Sequence, residues 1–174
     1  MQSETGLFCD FLFRKRGGRL YKLLCPDRTV LRLQDIDLQE IKKIGIEGII
    51  FDLDNTILPW DSSEISTEVT VWIEQLLTAG FRAGLVSNNR RQRVSEVAGR
   101  FDIPYVFRAY KPSKNGFRKV SAAMGLSPET VAVVGDQLFT DVLGGNRLGM
   151  FTIWVKPLSS HEFIGTKVTR QLEK

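Results

Sequence analysis

Short apolar runs alternate along most of this chain with segments in which apolar residues recur at helical spacing. The apolar run at 46–54 predicts a buried strand. Ser66 then predicts the N-cap of a helix that stops at Gly80. The same alternation predicts, in order, a strand at 82–87, a helix at 91–101, an extended segment at 104–108, a helix at 116–124, a strand at 131–134, a helix at 140–148 and a strand at 151–155.

This order of elements predicts an α/β fold with a mostly parallel sheet and helices on both faces, because strand–helix–strand connections form right-handed crossovers. The 174 residues, 43% of them apolar, suffice for one buried core. We therefore expect an N-terminal arm at 1–32, a single core domain at 33–157 and a C-terminal tail at 158–174, whose apolar spacing favours a helix.

Polar residues follow the predicted strands, and in open parallel sheets ligands bind beyond the carboxyl ends of the strands. Four strand ends carry such residues: Asp52 and Asp54 after the first, Ser87 and Asn88 after the second, Lys111 after the third, and Asp136 with Asp141 after the fourth. The topology brings these four ends to one edge of the sheet. This edge is therefore the candidate site.

Three carboxylates at one edge repel one another unless a cation lies between them. Mg²⁺ prefers oxygen ligands and takes one or two carboxylates together with substrate phosphate. The sequence therefore predicts a Mg²⁺ site at Asp52, Asp54 and Asp136, with Lys111 and Ser87 holding the remaining phosphate oxygens.

Two carboxylates one residue apart also suit a two-step phosphate transfer. Asp52 is placed to attack phosphorus and form an aspartyl phosphate. Asp54 is placed to protonate the leaving oxygen and then to take a proton from water. Together the residues predict a phosphomonoester hydrolase.

Each residue alone also has a purely structural interpretation. The two acids fit a strand-ending turn, and Ser87 and Asp141 each fit a helix N-cap. Asn88 either contacts phosphate or caps the backbone, and Thr56 either donates to phosphate or satisfies the turn. The sequence leaves these alternatives open.

Other chemistries fail on spacing or composition. An EF-hand loop beginning at Asp52 would need Gly at position 57 and Glu at position 63, and no P-loop or dinucleotide-binding glycine motif occurs. With Cys9, Cys25 and His161 scattered, a zinc site and a His-activated nucleophile are not expected. The two separated cysteines and the absence of a long apolar run predict a cytoplasmic protein.

Four short motifs carry a resemblance to a known family: D-x-D-N-T at 52–56, V-S-N-N at 86–89, K-P at 111–112 and G-D-Q-x-x-T-D at 135–141. In this order they resemble the haloacid-dehalogenase-like (HAD) phosphatases, which have a Rossmann-like three-layer core. The stretches from Leu24 to Thr56 and from Gly135 to Pro157 are similar to the YqeG-like group of the IIIA branch.

The resemblance implies a role for each matched residue. Asp52 is implied as nucleophile and metal ligand, and Asp54 as acid/base whose backbone carbonyl also binds the metal. Asp136 is implied as a further Mg²⁺ ligand, and Asp141 as a residue that steadies Lys111 or a metal-bound water. Assigned YqeG-like members resemble phosphatidylglycerophosphate phosphatases of phospholipid biosynthesis.

The lengths of the two gaps between the motifs indicate what kind of substrate the site accepts. Only 32 residues separate Asp54 from Ser87, and only 23 separate Ser87 from Lys111, so neither gap holds a cap domain. An open site suits a phosphate on a large carrier, and we expect an anionic phospholipid. The alternatives are a nucleotide, a nucleic acid end or a phosphoprotein, and, in another class, a phosphate-sensing interaction module.

The net charge of +4 comes from the arm, which holds seven Lys and Arg residues against three acids. Interleaved aromatic residues make it a candidate for peripheral contact with an anionic membrane. A solvated arm whose aromatic side chains pack on the domain fits equally well.

Overall fold

The computed structural model describes residues 19–159. Its strands are β1 (Arg28–Val30), β2 (Gly48–Phe51), β3 (Arg82–Val86), β4 (Tyr105–Val106), β5 (Val131–Gly135) and β6 (Phe151–Val155). Its α-helices are α1 (Arg19–Leu24), α2 (Leu38–Lys43), α3 (Thr67–Thr78), α4 (Arg91–Phe101), α5 (Lys114–Ala123) and α6 (Leu143–Asn146). Two 3₁₀ turns (Leu33–Asp35 and Pro128–Thr130) and one π-helical turn (Leu138–Val142) complete the described elements.

The six strands form one sheet in the order β1-β6-β5-β2-β3-β4, and every neighbouring pair is parallel. Parallel pairing directs all six carboxyl ends to the same edge, which we call the carboxyl edge. The predicted α/β fold is therefore confirmed.

Side chains of the central strands alternate between two hydrophobic cores, as the period of two in a strand requires. Ile49 and Phe51 pack into one core with residues of α2, α3 and α4. Ile50 packs into the other with α5, through Phe117 and Val120. The sheet is thus covered on both faces, and its middle strands are fully buried.

Helix α3 shows how local sequence sets these elements. Ser66 is its N-cap, and the Oγ of Ser66 accepts a hydrogen bond from the backbone N of Val69. Gly80 follows the C-cap with φ of +89°, a left-handed conformation that glycine adopts without a steric penalty. Both predicted ends of this helix are confirmed.

The expected arm at 1–32 extends too far. Residues 28–30 form the edge strand β1, which pairs with β6, and Asp27 accepts a hydrogen bond from the backbone N of Thr152 at 2.7 Å. The sequence does not indicate this strand, because the charged Arg28, which pairs with Glu40 at 2.7 Å, interrupts the apolar pattern. Residues 1–18 of the arm and 160–174 of the tail lie outside the described residues.

The β2–β3 connection contains only α3, and the β3–β4 connection contains only α4, so these two connections carry no cap domain. The predicted strand at 46–54 is shorter than expected because the chain turns at Asp52–Asn55, where Asn55 has φ of +60°. Within residues 19–159, no helix has the length and hydropathy of a membrane span.

Candidate active site

The carboxyl edge brings together the residues that the sequence singled out. Asp52 and Asp54 follow β2, Ser87 follows β3, Lys111 follows the β4 loop, and Asp136 follows β5. Asp52, Asp136, Asp141 and Lys111 are each less than one tenth exposed, which is rare for ionisable side chains unless they pair or bind a ligand.

Lys111 joins two of the buried carboxylates. Its Nζ donates to Asp52 Oδ1 at 2.5 Å and to Asp141 Oδ1 at 2.6 Å. Burial alone would lower the pKa of Lys111, but the charges of Asp141 and Asp52 raise the pKa above its ordinary value. The lysine therefore stays protonated at the centre of the site.

Asp141 is held by a close approach of backbone to side chain. Its Oδ2 accepts a hydrogen bond from the backbone N of Gln137 at 3.2 Å, so it reaches back across the π-helical turn and does not cap a following helix. A Cβ at Gly135 would lie 2.3 Å from Asp141 Cγ, so only glycine leaves room for this carboxyl. Burial raises the Asp141 pKa to about 6, against the opposing charge of Lys111.

A cluster of carboxylates at this edge fits a divalent cation. Asp52, Asp136 and Asp141 each place one carboxylate oxygen within 4.8 Å of the others, and all three are buried. With Asp54, Lys111 and Arg93 included, the site carries four negative and two positive formal charges, a net −2. Hard oxygen donors with an excess charge of −2 suit Mg²⁺ or a similar ion. Ligation by the backbone carbonyl of Asp54 stays a prediction.

The carboxylate of Asp54 has hydrogen-bond partners different from those of Asp52. It accepts hydrogen bonds from Asn89 Nδ2 at 2.9 Å and from Arg93 Nε at 2.8 Å. Burial raises the Asp54 pKa, and the charge of Asp52 adds to the increase, while Asn89 and Arg93 oppose it. The two carboxylates, one residue apart in the chain, thus have separate environments.

Arg93 also fixes the loop beyond the acids. Its guanidinium donates to the carbonyl oxygens of Ser62 at 2.7 Å, Pro59 at 3.0 Å and Trp60 at 3.2 Å. The sequence analysis did not predict the contact between Arg93 and Asp54. One signal was available, since Arg93 lies one helical turn before the buried Val97 and so borders the apolar face of α4.

The remaining candidates lie around the same centre. Ser87 is buried and its Oγ accepts from the backbone N of Asn89 at 3.0 Å, whereas the N-cap of α4 is Arg90. Asn88 is exposed, and its Oδ1 accepts from the backbone N of Lys111 at 2.8 Å. Thr56 is fully buried, and its Oγ1 has no hydrogen-bond partner among the described residues. An orphaned buried hydroxyl next to a cluster of acids fits a site that binds a polar ligand.

Comparisons with known proteins show that the chain is similar to phosphatases. A family described as mitochondrial PGP phosphatase matches residues 19–158. The chain is 37% identical to Probable phosphatase YqeG of Bacillus subtilis over 155 residues, covering 89% of this chain and 90% of the relative. It is 30% identical to the chloroplastic phosphatidylglycerophosphate phosphatase 1 of Chlamydomonas reinhardtii, covering 98% of this chain and 65% of the relative.

Solved structures show the same fold. The cobalt-bound deoxy-D-mannose-octulosonate 8-phosphate phosphatase of Haemophilus influenzae superposes with a TM-score of 0.53 at 14% identity, covering 72% of this chain and 73% of that one. At this identity the likeness extends to the fold alone. The match over residues 19–158 and the YqeG relative together show that the chain belongs to the PGP phosphatase family.

Proposed function

We propose that this protein is a Mg²⁺-dependent phosphomonoester hydrolase that works through an aspartyl phosphate on Asp52. The observation that carries the proposal is the buried group in which Lys111 joins Asp52 and Asp141 at 2.5 and 2.6 Å. Such a group holds an ionised carboxylate beside a fixed positive charge. It therefore favours an attacking carboxylate and a phosphate dianion at the same edge.

In the first step, an oxygen of Asp52 forms a bond to phosphorus and the bond from phosphorus to the leaving oxygen breaks. Asp54 gives its proton to that leaving oxygen. In the second step, water attacks phosphorus, Asp54 takes the proton of the water, and the bond between phosphorus and Asp52 breaks to release phosphate. Burial raises the Asp54 pKa, which favours the protonated carboxyl that the first step needs.

Lys111 would pair with phosphate oxygens in exchange for part of its contact with the two aspartates. Ser87 and Thr56 would donate their hydroxyl hydrogens to the phosphate. Asn88 positions Lys111, because its Oδ1 accepts a hydrogen bond from the backbone N of Lys111 at 2.8 Å. Asp52, Asp136 and Asp141 would hold the cation. When bound, Mg²⁺ supplies positive charge that offsets the repulsion between carboxylates and phosphate.

We infer a phosphorylated lipid, phosphatidylglycerophosphate, as the substrate. The family description and the name of the Chlamydomonas relative support this inference. The two connections that could carry a cap contain one helix each, so the edge stays accessible to a phosphate on a large carrier. The lipid product would be phosphatidylglycerol.

The test compares phosphate release from three substrates: phosphatidylglycerophosphate, oligonucleotide ends and soluble sugar phosphates. We expect Mg²⁺-dependent release, highest with the lipid, and loss of release in Asp52→Asn. The matched control is Asp61→Asn, which changes an exposed aspartate of the same loop. Preference for oligonucleotides or sugar phosphates would contradict the lipid assignment. Phosphate binding with no turnover of any ester would instead favour a sensing module.

A further inference from the structure

The exposed apolar side chains of this protein are unevenly distributed. Between residues 22 and 159, six large apolar residues are exposed: Leu31, Ile44, Val71, Phe107, Tyr110 and Leu158. Four of these six lie at the carboxyl edge, and the exposed fractions of Tyr110 and Leu31 are 77% and 69%. A cluster of exposed apolar side chains around one edge marks a surface that contacts a partner.

The four residues form two pairs that flank the candidate active site. Leu31 directly follows β1. Leu158 lies beyond β6, and its backbone N donates at 3.0 Å to the carbonyl oxygen of Asn55, in the loop that carries Asp52 and Asp54. Phe107 directly follows β4, and Tyr110 directly precedes Lys111. Because β1 and β6 lie on one side of the sheet and β4 on the other, Leu31 and Leu158 approach the site from one side and Phe107 and Tyr110 from the other. Leu158 and Tyr110, next to Asn55 and Lys111, lie nearer the site than the other two.

The spacing of the two outer residues, Leu31 after β1 and Phe107 after β4, suits a lipid surface. β1 and β4 are five strand positions apart, which corresponds to about 24 Å at about 4.8 Å per strand. A phosphorylated headgroup is narrower than this gap. One headgroup can therefore lie at the acids while both flanks contact neighbouring lipids.

The charges beside Phe107 and Tyr110 are complementary to anionic headgroups. Arg90, Arg91 and Arg108 are exposed on this side, whereas on the loops after β1, β2 and β6 the exposed cations Arg32 and Lys156 are accompanied by the exposed acids Asp35, Asp37, Asp61 and Glu64. The guanidinium of Arg91 also lies over the Phe107 ring, 6.0 Å from its centroid. Basic and aromatic side chains presented together are typical of contact with the interface of an anionic bilayer.

We propose that the carboxyl edge docks on an anionic phospholipid bilayer, with Phe107 and Tyr110 inserted on one side of the site and Leu31 and Leu158 on the other. The proposal rests on the proposed lipid substrate and adds how that substrate is reached. The phosphate of a lipid would enter the site from the membrane without leaving the bilayer. The four apolar side chains would enter the interfacial layer, where their removal from water favours binding.

The experiment measures binding of the full chain to vesicles by flotation, with vesicles of phosphatidylcholine alone and with added phosphatidylglycerol. Two double variants remove the flanks: Phe107→Ser with Tyr110→Ser, and Leu31→Ser with Leu158→Ser. Each should weaken binding to the anionic vesicles by about tenfold, since each removes two interfacial side chains. Circular dichroism melting checks that the variants remain folded.

The matched control is the double variant Ile44→Ser with Val71→Ser. These two residues are exposed by 51% and 44% but lie away from the carboxyl edge, after α2 and on α3. The control should bind vesicles as the wild type does. Equal loss of binding in control and flank variants, unchanged binding in the flank variants, or no binding by the wild type would each overturn the docking surface. If the wild type does not bind vesicles, a protein partner would instead be the expected occupant of this surface.

A second measurement separates failure of docking from failure of the proposed function. Phosphate release from a short-chain phosphatidylglycerophosphate, kept below its micelle concentration, needs no membrane. Hydrolysis of this soluble lipid without vesicle binding would leave the function intact and refute docking. Vesicle binding that depends on both flanks, without any hydrolysis of the lipid, would retain docking and refute the substrate.

Discussion

Replacing Arg93 tests whether the environment of Asp54 controls the chemistry. The guanidinium of Arg93 makes a 2.8 Å ion pair with Asp54, and it donates to three carbonyl oxygens of the loop at 59–62. The side chains of Arg93 and Asp54 are only 23% and 11% exposed. The Arg93→Ala variant would therefore leave a mostly buried carboxylate with Asn89 as its remaining side-chain donor among the described residues.

The size of the effect follows from these contacts. A hydrogen bond to a charged group contributes about 1.5–3 kcal/mol, and water can replace part of the lost carbonyl contacts. We expect the free energy of unfolding to fall by about 2–3 kcal/mol, which lowers Tm by roughly 5–10 °C in a chain of this size. Because Asp54 and its loop lose their position, kcat should fall by about tenfold to hundredfold.

The assay is steady-state hydrolysis of p-nitrophenyl phosphate with saturating Mg²⁺, at a temperature where both proteins are folded. A positioning role predicts a loss in kcat with little change in KM, and no further loss when Arg93→Ala is added to Asp54→Asn. Arg100→Ala, which changes an exposed arginine of the same helix, is the control and should behave as wild type. Equal losses of kcat in the wild-type and Asp54→Asn backgrounds would show that Arg93 does not act through Asp54.

Three further predictions concern the buried charges. Mg²⁺ at about a hundred times its dissociation constant should stabilise the protein by about 2.7 kcal/mol, and an unchanged melting curve after chelation would contradict a bound cation. Gly135→Ala would displace the carboxyl of Asp141, whose Cγ lies 2.3 Å from the new Cβ, so phosphatase activity should fall strongly; wild-type activity would show that this space is not needed. Burial raises the Asp141 pKa to about 6 from 3.8, so its contribution to stability is present below pH 4 and lost as pH rises through 6. In metal-free protein, Asp141→Asn should therefore gain Tm relative to wild type as the pH rises from about 4 to about 6, and a constant difference over this range would contradict the raised pKa.

The sequence predicts most of the fold because the local signals agree with one another. The buried runs of β2 and β5 and the capped helix α3 carry period, length and stop signals in the same places. Strand β1 lacks such a signal, since its three residues RTV are half-buried or exposed. Its place depends on pairing with β6, more than 120 residues away. Such long-range pairing cannot be inferred from local periodicity.

In the candidate site, too, some features can be predicted from the sequence and others depend on the tertiary structure. Topology alone predicts that the residues after β2, β3 and β5 meet at one edge, since parallel strands end together. The direction of each side chain is a tertiary property. Arg93 points inward to Asp54, and Asp141 folds back over Gly135 to join the carboxylates, so its place in the cation cluster is not readable from spacing.

The most direct test is a crystal structure of the protein grown with Mg²⁺ and beryllium fluoride, which mimics a phosphoryl group on a carboxylate. The proposed chemistry predicts a beryllium fluoride group on a side-chain oxygen of Asp52, in contact with Lys111, and a Mg²⁺ ion held with the help of Asp136. A group bound elsewhere, or a metal ion away from these carboxylates, would contradict Asp52 as the residue that takes up phosphate.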